Sequence, residues 1–403
     1  MKQVVNNFSD LGITIFTVMS ALAQEHDAIN LGQGFPDDEG QDDERLSEIR
    51  EVAAKALIDG PNQYPPMMGI AALRHALVEH EKRFYGLEFD WQSQVMVTSG
   101  ATEALAASLL GLLAPGDEVV LLEPLYDCYL PIIRQAGAVP RFVRLMPHDN
   151  GGGWHFDEDE LRAAFSDRTK LIVLNSPMNP TGKVFSLAEL SLIAELVDAY
   201  DCYAVCDEVY EHLTFDDAAH IPLMTLPGMA DRCLRIGSAG KTFSLTGWKV
   251  GYVTGPAALV SLAAKVHQFL TFTTPPNLQA GVAHGLAMDD GFYRSLRDDM
   301  AAKRDLLTAG LIEAGFSVQP SHGTYFVNAD FAPLLERTKP GDDDFDGSDT
   351  AFCRLITEQA KVAAIPVSAF YHSGAPKSLI RFCFCKNDDT LRQAVDRLSE
   401  YFR

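Results

Sequence analysis

Lys241 lies in Arg235-Ile236-Gly237-Ser238-Ala239-Gly240-Lys241-Thr242-Phe243, a stretch that runs on to Gly247-Trp248-Lys249-Val250-Gly251-Tyr252. A lysine that must react as an amine is best flanked by small residues, which let an aldehyde come close. Here Ser238, Ala239 and Gly240 precede it. Ser238 offers a hydroxyl to an anion and Lys249 a second positive charge, so the pattern suits an imine-forming lysine beside a phosphate. A nucleotide-binding P-loop, G-x-x-x-x-G-K-S/T, would also end in Gly240-Lys241-Thr242. It requires glycine at position 235, where Arg235 stands, and so fails. A plain structural loop is the bland alternative.

Other stretches carry groups of matching type. Ser99-Gly100-Ala101-Thr102-Glu103 joins a strand to a helix, and the free N–H groups of such a helix start bind phosphate. Glu123-Pro124-Leu125-Tyr126 follows the next strand and could lay Tyr126 on a flat ring. Asn175-Ser176-Pro177-Met178-Asn179-Pro180-Thr181-Gly182 makes a rigid turn with the Asn179 amide free for a ligand oxygen. It is not a glycosylation site, because proline follows the asparagine. Asp207-Glu208-Val209-Tyr210 ends a strand, placing Asp207 to face a protonated ring nitrogen and Tyr210 a ring oxygen. Taken singly, each has an ordinary explanation: an N-cap, a core tyrosine, a bare turn, surface acids. Taken together they are what pyridoxal phosphate chemistry requires. That chemistry needs an imine lysine, a phosphate cradle, a carboxylate that keeps the pyridine charged, and a group on the ring face.

The elements that must position these groups alternate along the chain. Residues 94–98, 118–122, 170–174 and 203–206 read as apolar strands. A helix spans Thr102 to Leu113, and Ser186-Leu187-Ala188-Glu189 is a capping box opening another toward Tyr200. Short apolar strands separated by helices predict a mostly parallel sheet covered on both faces, with ligands beyond the carboxyl ends of its strands. From about residue 290 the pattern changes. A charged helix from Arg294 to Ala314 is followed by a strand at 323–327, an acidic loop near 340, a strand from Leu379 to Cys385 and a last helix from Asp388.

Composition excludes several classes. The chain has 403 residues, 47% hydrophobic and 22% charged, enough for two domains with a large core. A formal charge of -22 argues against nucleic acid or anionic membranes as partners. The residues near Met1 lack a signal peptide's apolar core, and no segment approaches a spanning helix of roughly 18 apolar residues. Seven scattered cysteines without CxxC spacing read as reduced core residues of a cytoplasmic protein. Cys383 and Cys385 share one face of a strand and read as packing. The 11 histidines show no ligand spacing, so no metal is expected.

The N-P-T-G of 179–182, the D-x-x-Y of 207–210, the S-x-x-K of 238–241 and a late Arg381 occur in an order that resembles the fold-type I, class I/II aminotransferases that use pyridoxal phosphate. The resemblance covers nearly the whole chain. It implies an α/β fold: a large domain with a mostly parallel seven-stranded sheet covered by helices, plus a smaller α+β domain formed by the N- and C-terminal segments. The boundaries read as 1–44, 45–290 and 291–403.

By the same resemblance, Lys241 is the Schiff-base lysine and proton carrier, Asp207 the pyridinium partner, and Tyr210 and Asn179 the donors to the ring oxygen. Ser238, Lys249 and the amides of Ala101 and Thr102 form the phosphate cup, with Tyr126 on the ring. Arg381 grips the substrate α-carboxylate, helped by Asn179 and the backbone near Gly34. Tyr64 reaches the phosphate of a neighbouring subunit, which implies a homodimer with shared active sites. Aspartate-type relatives often have arginine where Lys249 stands. Here Gly247-Trp248-Lys249-Val250-Gly251 resembles the kynurenine/glutamine and bacterial methionine branch, as do the stretches 29–37, 123–129 and 364–371. Near relatives commonly carry an aromatic at the position of Asp38.

The implied reaction is ping-pong transfer of an amino group from an L-amino acid to a 2-oxo acid. No arginine is evidently placed for a second carboxylate, and Phe16 is a candidate pocket lid, so a neutral side chain is expected (methionine, an aromatic, kynurenine or glutamine). Two alternatives stay open. A cysteine-conjugate β-lyase would use the same residues. The ligand-sensing domain of a transcription regulator built on this fold would be expected to carry a DNA-binding segment ahead of the arm.

Overall fold

The computed structural model describes residues 11–37, 44–148, 151–338 and 345–403. Asp38 and the acidic stretch 341–344 lie outside them. Eight strands make the main sheet: β1 (Val95–Ser99), β2 (Glu118–Glu123), β3 (Val139–Pro147), β4 (Trp154–Phe156), β5 (Thr169–Asn175), β6 (Tyr203–Asp207), β7 (Cys233–Ser238) and β8 (Val250–Thr254). Their spatial order is β1-β8-β7-β6-β5-β2-β3-β4. The contiguous β3-β2-β5-β6-β7 run is parallel. β8 runs against both its neighbours. The strand beyond the expected seven is β4, three residues laid antiparallel on β3.

Burial on both faces explains the continuous apolar runs. In β5, Leu171 and Val173 enter one core and Ile172 and Leu174 the other. The first core is closed by helices Gly100–Leu112 and Ala257–Leu270 through Ala104, Leu105, Leu109, Leu259 and Val260. The second is closed by helix Leu187–Ala199 through Leu190, Ile193 and Val197. That helix has the expected capping box, with Ser186 and Glu189 each accepting from the other's backbone N–H. Ser99, Asn175, Asp207 and Ser238 all fall at the carboxyl ends of strands sharing one direction, so they meet at one edge.

A second, antiparallel sheet comprises β9 (Ser317–Val318), β10 (Phe326–Asp330), β11 (Ile365–Pro366) and β12 (Leu379–Cys383), in the order β9-β10-β12-β11. Helices Asp290–Ala314 and Asp388–Tyr401 pack with it. Among the buried aromatics, the Phe331 and Phe352 rings stack with centroids 3.9 Å apart. The N-terminal segment is woven into this body. Ile29–Asn30 pairs in parallel with Val362–Ala363, and the Cys383 N–H donates to the Leu31 carbonyl.

Most boundaries fall within two residues of the sequence reading, and three of the differences lie toward the C-terminal body. The strand expected at 323–327 starts only at Phe326, because Thr324 adopts φ 67 and Gly323 makes an isolated bridge with Thr214. The strand expected to reach Cys385 stops at Cys383. The helix expected from Arg294 begins at Asp290, since Asp289 caps it by accepting from the Phe292 N–H. No helix among the described residues is long and apolar enough to cross a membrane.

Candidate active site

A cleft of about 360 Å³ opens where the strand ends meet the second body. It is lined by Phe16, Gly34, Ala101, Thr102, Tyr126, Asn179, Asp207, Tyr210, Ser238, Lys241, Lys249 and Arg381. Every site residue expected from the sequence is therefore gathered there except Tyr64. Tyr64 is 83% exposed and sits against Phe272 in a separate groove with Asn62 and Thr273.

Asp207 ends β6 and is buried. The Tyr129 hydroxyl donates to its Oδ2 at 2.5 Å, while its Oδ1 has no partner. Burial pushes the Asp207 carboxyl up to about 6, against the opposing pull of the Tyr129 hydroxyl, the Val209 N–H and the Lys241 charge. An unpartnered buried acceptor is costly, so Oδ1 is suited to a ligand N–H. Arg235 braces the segment from behind. Its Nε donates to Glu208 at 2.6 Å and its Nη2 to Glu211 at 3.1 Å, and it also pairs with Glu81.

Lys241 sits in a short helix, Ala239–Thr242, directly after β7. Its Nζ donates to the Tyr325 hydroxyl at 2.8 Å, and the Gly34 carbonyl lies 3.5 Å away. Tyr325 in turn donates to the Gly34 carbonyl at 2.6 Å. Burial lowers the lysine's pKa, with Asp207 and the thiols of Cys385 and Cys383 opposing. Its amine form is therefore more accessible near neutrality than that of a surface lysine.

The phosphate-sized end of the cleft is built on the helix Gly100–Leu112, whose first-turn N–H groups have no intrahelical acceptors. A Cβ placed on Gly100 (φ 76) would lie 3.2 Å from Lys249 Nζ, so that ammonium rests on the helix start. At the other end, Arg381 is 1% exposed. Its Nη1 donates to Asn179 Oδ1 at 2.9 Å and its Nη2 to the Gly32 carbonyl at 2.7 Å, while Nε has no partner. Its guanidinium lies 3.9 Å from the centroid of the Phe326 ring, 5.2 Å from that of Phe16 and 5.1 Å from that of Phe370. Among the described residues lining the cleft, Lys241, Lys249 and Arg381 are cationic and Asp207 is the one acid. An anionic ligand is thus favoured inside a strongly acidic chain.

Several contributors escaped the sequence reading. Tyr129, Asn175, Gln33, Tyr325 and Phe326 touch the site or its residues. The Tyr126-x-x-Tyr129 spacing was a usable clue. Tyr325 gave none, because it meets Lys241 from 84 positions away. The fold also joins His80, Glu211 and His212, whose ligand atoms lie within 4.8 Å of one another although sequence spacing gave no hint. The atoms that face one another are already engaged, while the buried His80 Nδ1 has no partner. The two Nε2 atoms are 2.7 Å apart, and Glu211 accepts from Arg235 and Tyr252.

Residues 26–398 match the family model for aminotransferase class I and II. The chain belongs to that family. This aminotransferase is 44% identical over 404 residues to a probable N-succinyldiaminopimelate aminotransferase of Mycobacterium tuberculosis, covering 98% of each chain. A solved structure of the Mycobacterium tuberculosis N-succinyldiaminopimelate aminotransferase superposes with a TM-score of 0.91 at 44% identity, covering 99% of this chain and 100% of that one. The methionine aminotransferase of Escherichia coli is 38% identical over 392 residues, covering 97% of this chain and 96% of its own. The cofactor of this aminotransferase family is pyridoxal 5'-phosphate, and its substrates are amino acids and 2-oxo acids.

Proposed function

We propose that this aminotransferase takes the amino group from an L-amino acid with a neutral side chain and passes it to a 2-oxo acid in a ping-pong cycle. The observation that carries the substrate reading is the surrounding of Arg381. It is one buried fork with a free Nε, collared by Phe16, Phe326 and Phe370, and no second arginine is among the described lining residues. One arginine matches one α-carboxylate, and the aromatic collar favours an apolar or aromatic side chain beside it.

The residues fit pyridoxal phosphate. The unpartnered Oδ1 of Asp207 would accept from the ring nitrogen, and Tyr210 and Asn179 would meet the ring oxygen. Tyr126 would cover the ring, while Ser238, Lys249 and the N–H groups of Ala101 and Thr102 would hold the phosphate. When bound, the cofactor supplies an electron sink that makes the substrate's α-proton removable. Lys241, released from its bond to Tyr325, takes that proton from the α-carbon and returns it as general acid. Arg381, with Asn179 and the Gly34 backbone, holds the carboxylate so that the α-proton points at Lys241 Nζ. Phe16 covers the substrate side and excludes water.

We further infer a homodimer. Tyr64 and Phe272, whose ring centroids lie 5.5 Å apart, are both exposed and form an apolar rim outside the cleft, as a contribution to a partner's phosphate site would require. The two bodies are read as residues 45–290 and 291–403, with 1–44 belonging to the second.

Two measurements test this reading. An amino-donor panel with several 2-oxo acids is expected to favour methionine or aromatic donors over aspartate by at least about tenfold in kcat/KM, and a preference for aspartate defeats the argument. N-succinyldiaminopimelate belongs in the panel, because a 44% identical relative bears that name. If it outruns methionine, the pocket serves a long acylated side chain instead. The second measurement is cofactor affinity against pH. Below about 6 the Asp207 carboxyl gains its proton and loses the charge that attracts a ring N–H. Affinity is expected to fall as pH drops through 6, by up to about tenfold per unit. Asp207→Asn should bind weakly and without that slope. An identical slope in the variant would mean that another group titrates.

A further inference from the structure

Cys383 and Cys385 flank Phe384 and turn the same way as Arg381, with their sulfurs 3.1 Å apart and both side chains buried. They are not isolated from the site. The next residue, Lys386, is buried and donates from Nζ to the Phe35 carbonyl at 3.0 Å, while pairing with Asp37 at 2.9 Å. The segment it anchors carries Gly34 and Phe35, which line the cleft, and Gly34 accepts the Tyr325 hydroxyl. The Phe384 N–H donates to the Tyr325 carbonyl. The thiol pair therefore stands at the joint between β12, Tyr325 and the strap over the reactive lysine.

We propose that Cys383 and Cys385 form an oxidation site for hydrogen peroxide, which converts them to a reversible disulfide that displaces the strap and slows transamination.

Two features fit the pair to this chemistry. Burial raises the Cys383 thiol, but the hydrogen bond from Cys385 and the charges of Lys386 and Arg381 outweigh it and bring Cys383 below the ordinary value. The thiolate is the nucleophile in such reactions. Cys385, 2% exposed, lines a second cleft with Phe35, Pro36 and Lys386, distinct from the one that holds Lys241, and peroxide entering there meets the fully buried Cys383 sulfur 3.1 Å behind it.

The steps balance. The Cys383 thiolate attacks one peroxide oxygen, the O–O bond breaks, and hydroxide leaves to become water with one proton, giving a sulfenic acid. The Cys385 sulfur then displaces the sulfenic hydroxyl. An S–S bond forms, the S–O bond breaks, and the Cys385 proton departs with the hydroxyl as a second water. Two thiols lose two electrons, and one peroxide becomes two waters. The sulfurs lie 3.1 Å apart and must close to roughly 2.05 Å, which draws Cys385, beyond the end of β12, toward Cys383 and moves Lys386 with it. A strained bridge of this kind is readily opened by a dithiol.

The test uses the holoenzyme. After mild hydrogen peroxide and alkylation without reductant, trypsin releases Phe382–Lys386. That peptide is expected unalkylated and lighter by two hydrogens. The transamination rate should fall by about tenfold or more, with cofactor absorbance retained, and should recover with dithiothreitol. Cys385→Ala and, separately, Cys383→Ala should keep their rate before and after peroxide. The proposal is overturned by an alkylated pair in inactivated enzyme, by sulfonic acid on one cysteine alone, by a bridged enzyme with full rate, or by variants as sensitive as the parent.

Discussion

Lys241→Ala should lower transamination by about 10⁴-fold or more, the upper end of what a positioned acid–base group contributes, while the protein stays folded. The expectation follows from the surroundings of Nζ. Burial works against the ammonium, and its bond goes to a tyrosine hydroxyl that already has the Gly34 carbonyl as acceptor. Removing the side chain takes a cation from near Asp207, but that carboxyl keeps the Tyr129 hydroxyl as a donor, so stability should change little. Single-turnover spectroscopy on cofactor-loaded variant separates the cases. Cofactor should still bind through the phosphate end, and added methylamine should restore part of the α-proton transfer. Retention of more than about one hundredth of the parent rate would remove Lys241 from its proposed role, as would borohydride fixing the cofactor on a different lysine in the parent.

Arg381→Ala should reduce kcat/KM by about 10²- to 10⁴-fold. Breaking a buried, hydrogen-bonded charge pair costs about 3–5 kcal/mol, and each 1.4 kcal/mol is tenfold. Some of the loss would come from the Asn179 and Gly32 oxygens that the guanidinium now satisfies. Two comparisons isolate the substrate term. Arg381→Lys keeps the charge without the fork and should fall between the extremes. The parent should also prefer an amino acid over the matching amine without a carboxylate, and that preference should collapse in Arg381→Ala. If the ratio survives, the carboxylate is held elsewhere.

The legible parts of this chain were those whose physics is local. Strands buried on both faces write themselves as unbroken apolar runs, which is why β2, β5 and β6 could be bounded within a residue or two. Ser186 and Glu189 declared a helix start because the capping box is complete within four positions. Asp207 and Ser238 stood out because each ends a strand, and Asn179 and Lys241 because each follows one within four residues. β4 was invisible, since three residues carry no period. Thr324 misled, because nothing in its type announces a left-handed backbone. Tyr129, Tyr325 and Phe326 joined the site through packing between remote segments, and Arg235 read as a failed motif although it braces Asp207 and Tyr210 through Glu208 and Glu211.

The weave of Leu31 with Cys383 and of Ile29–Asn30 with Val362–Ala363 has a consequence for biosynthesis. Phe16 and Gly34 leave the ribosome early, yet Arg381, their neighbour in the finished cleft, follows more than 340 residues later. A nascent chain can assemble its phosphate cup long before it can grip a carboxylate. Cofactor capture during translation would therefore precede any competence for turnover.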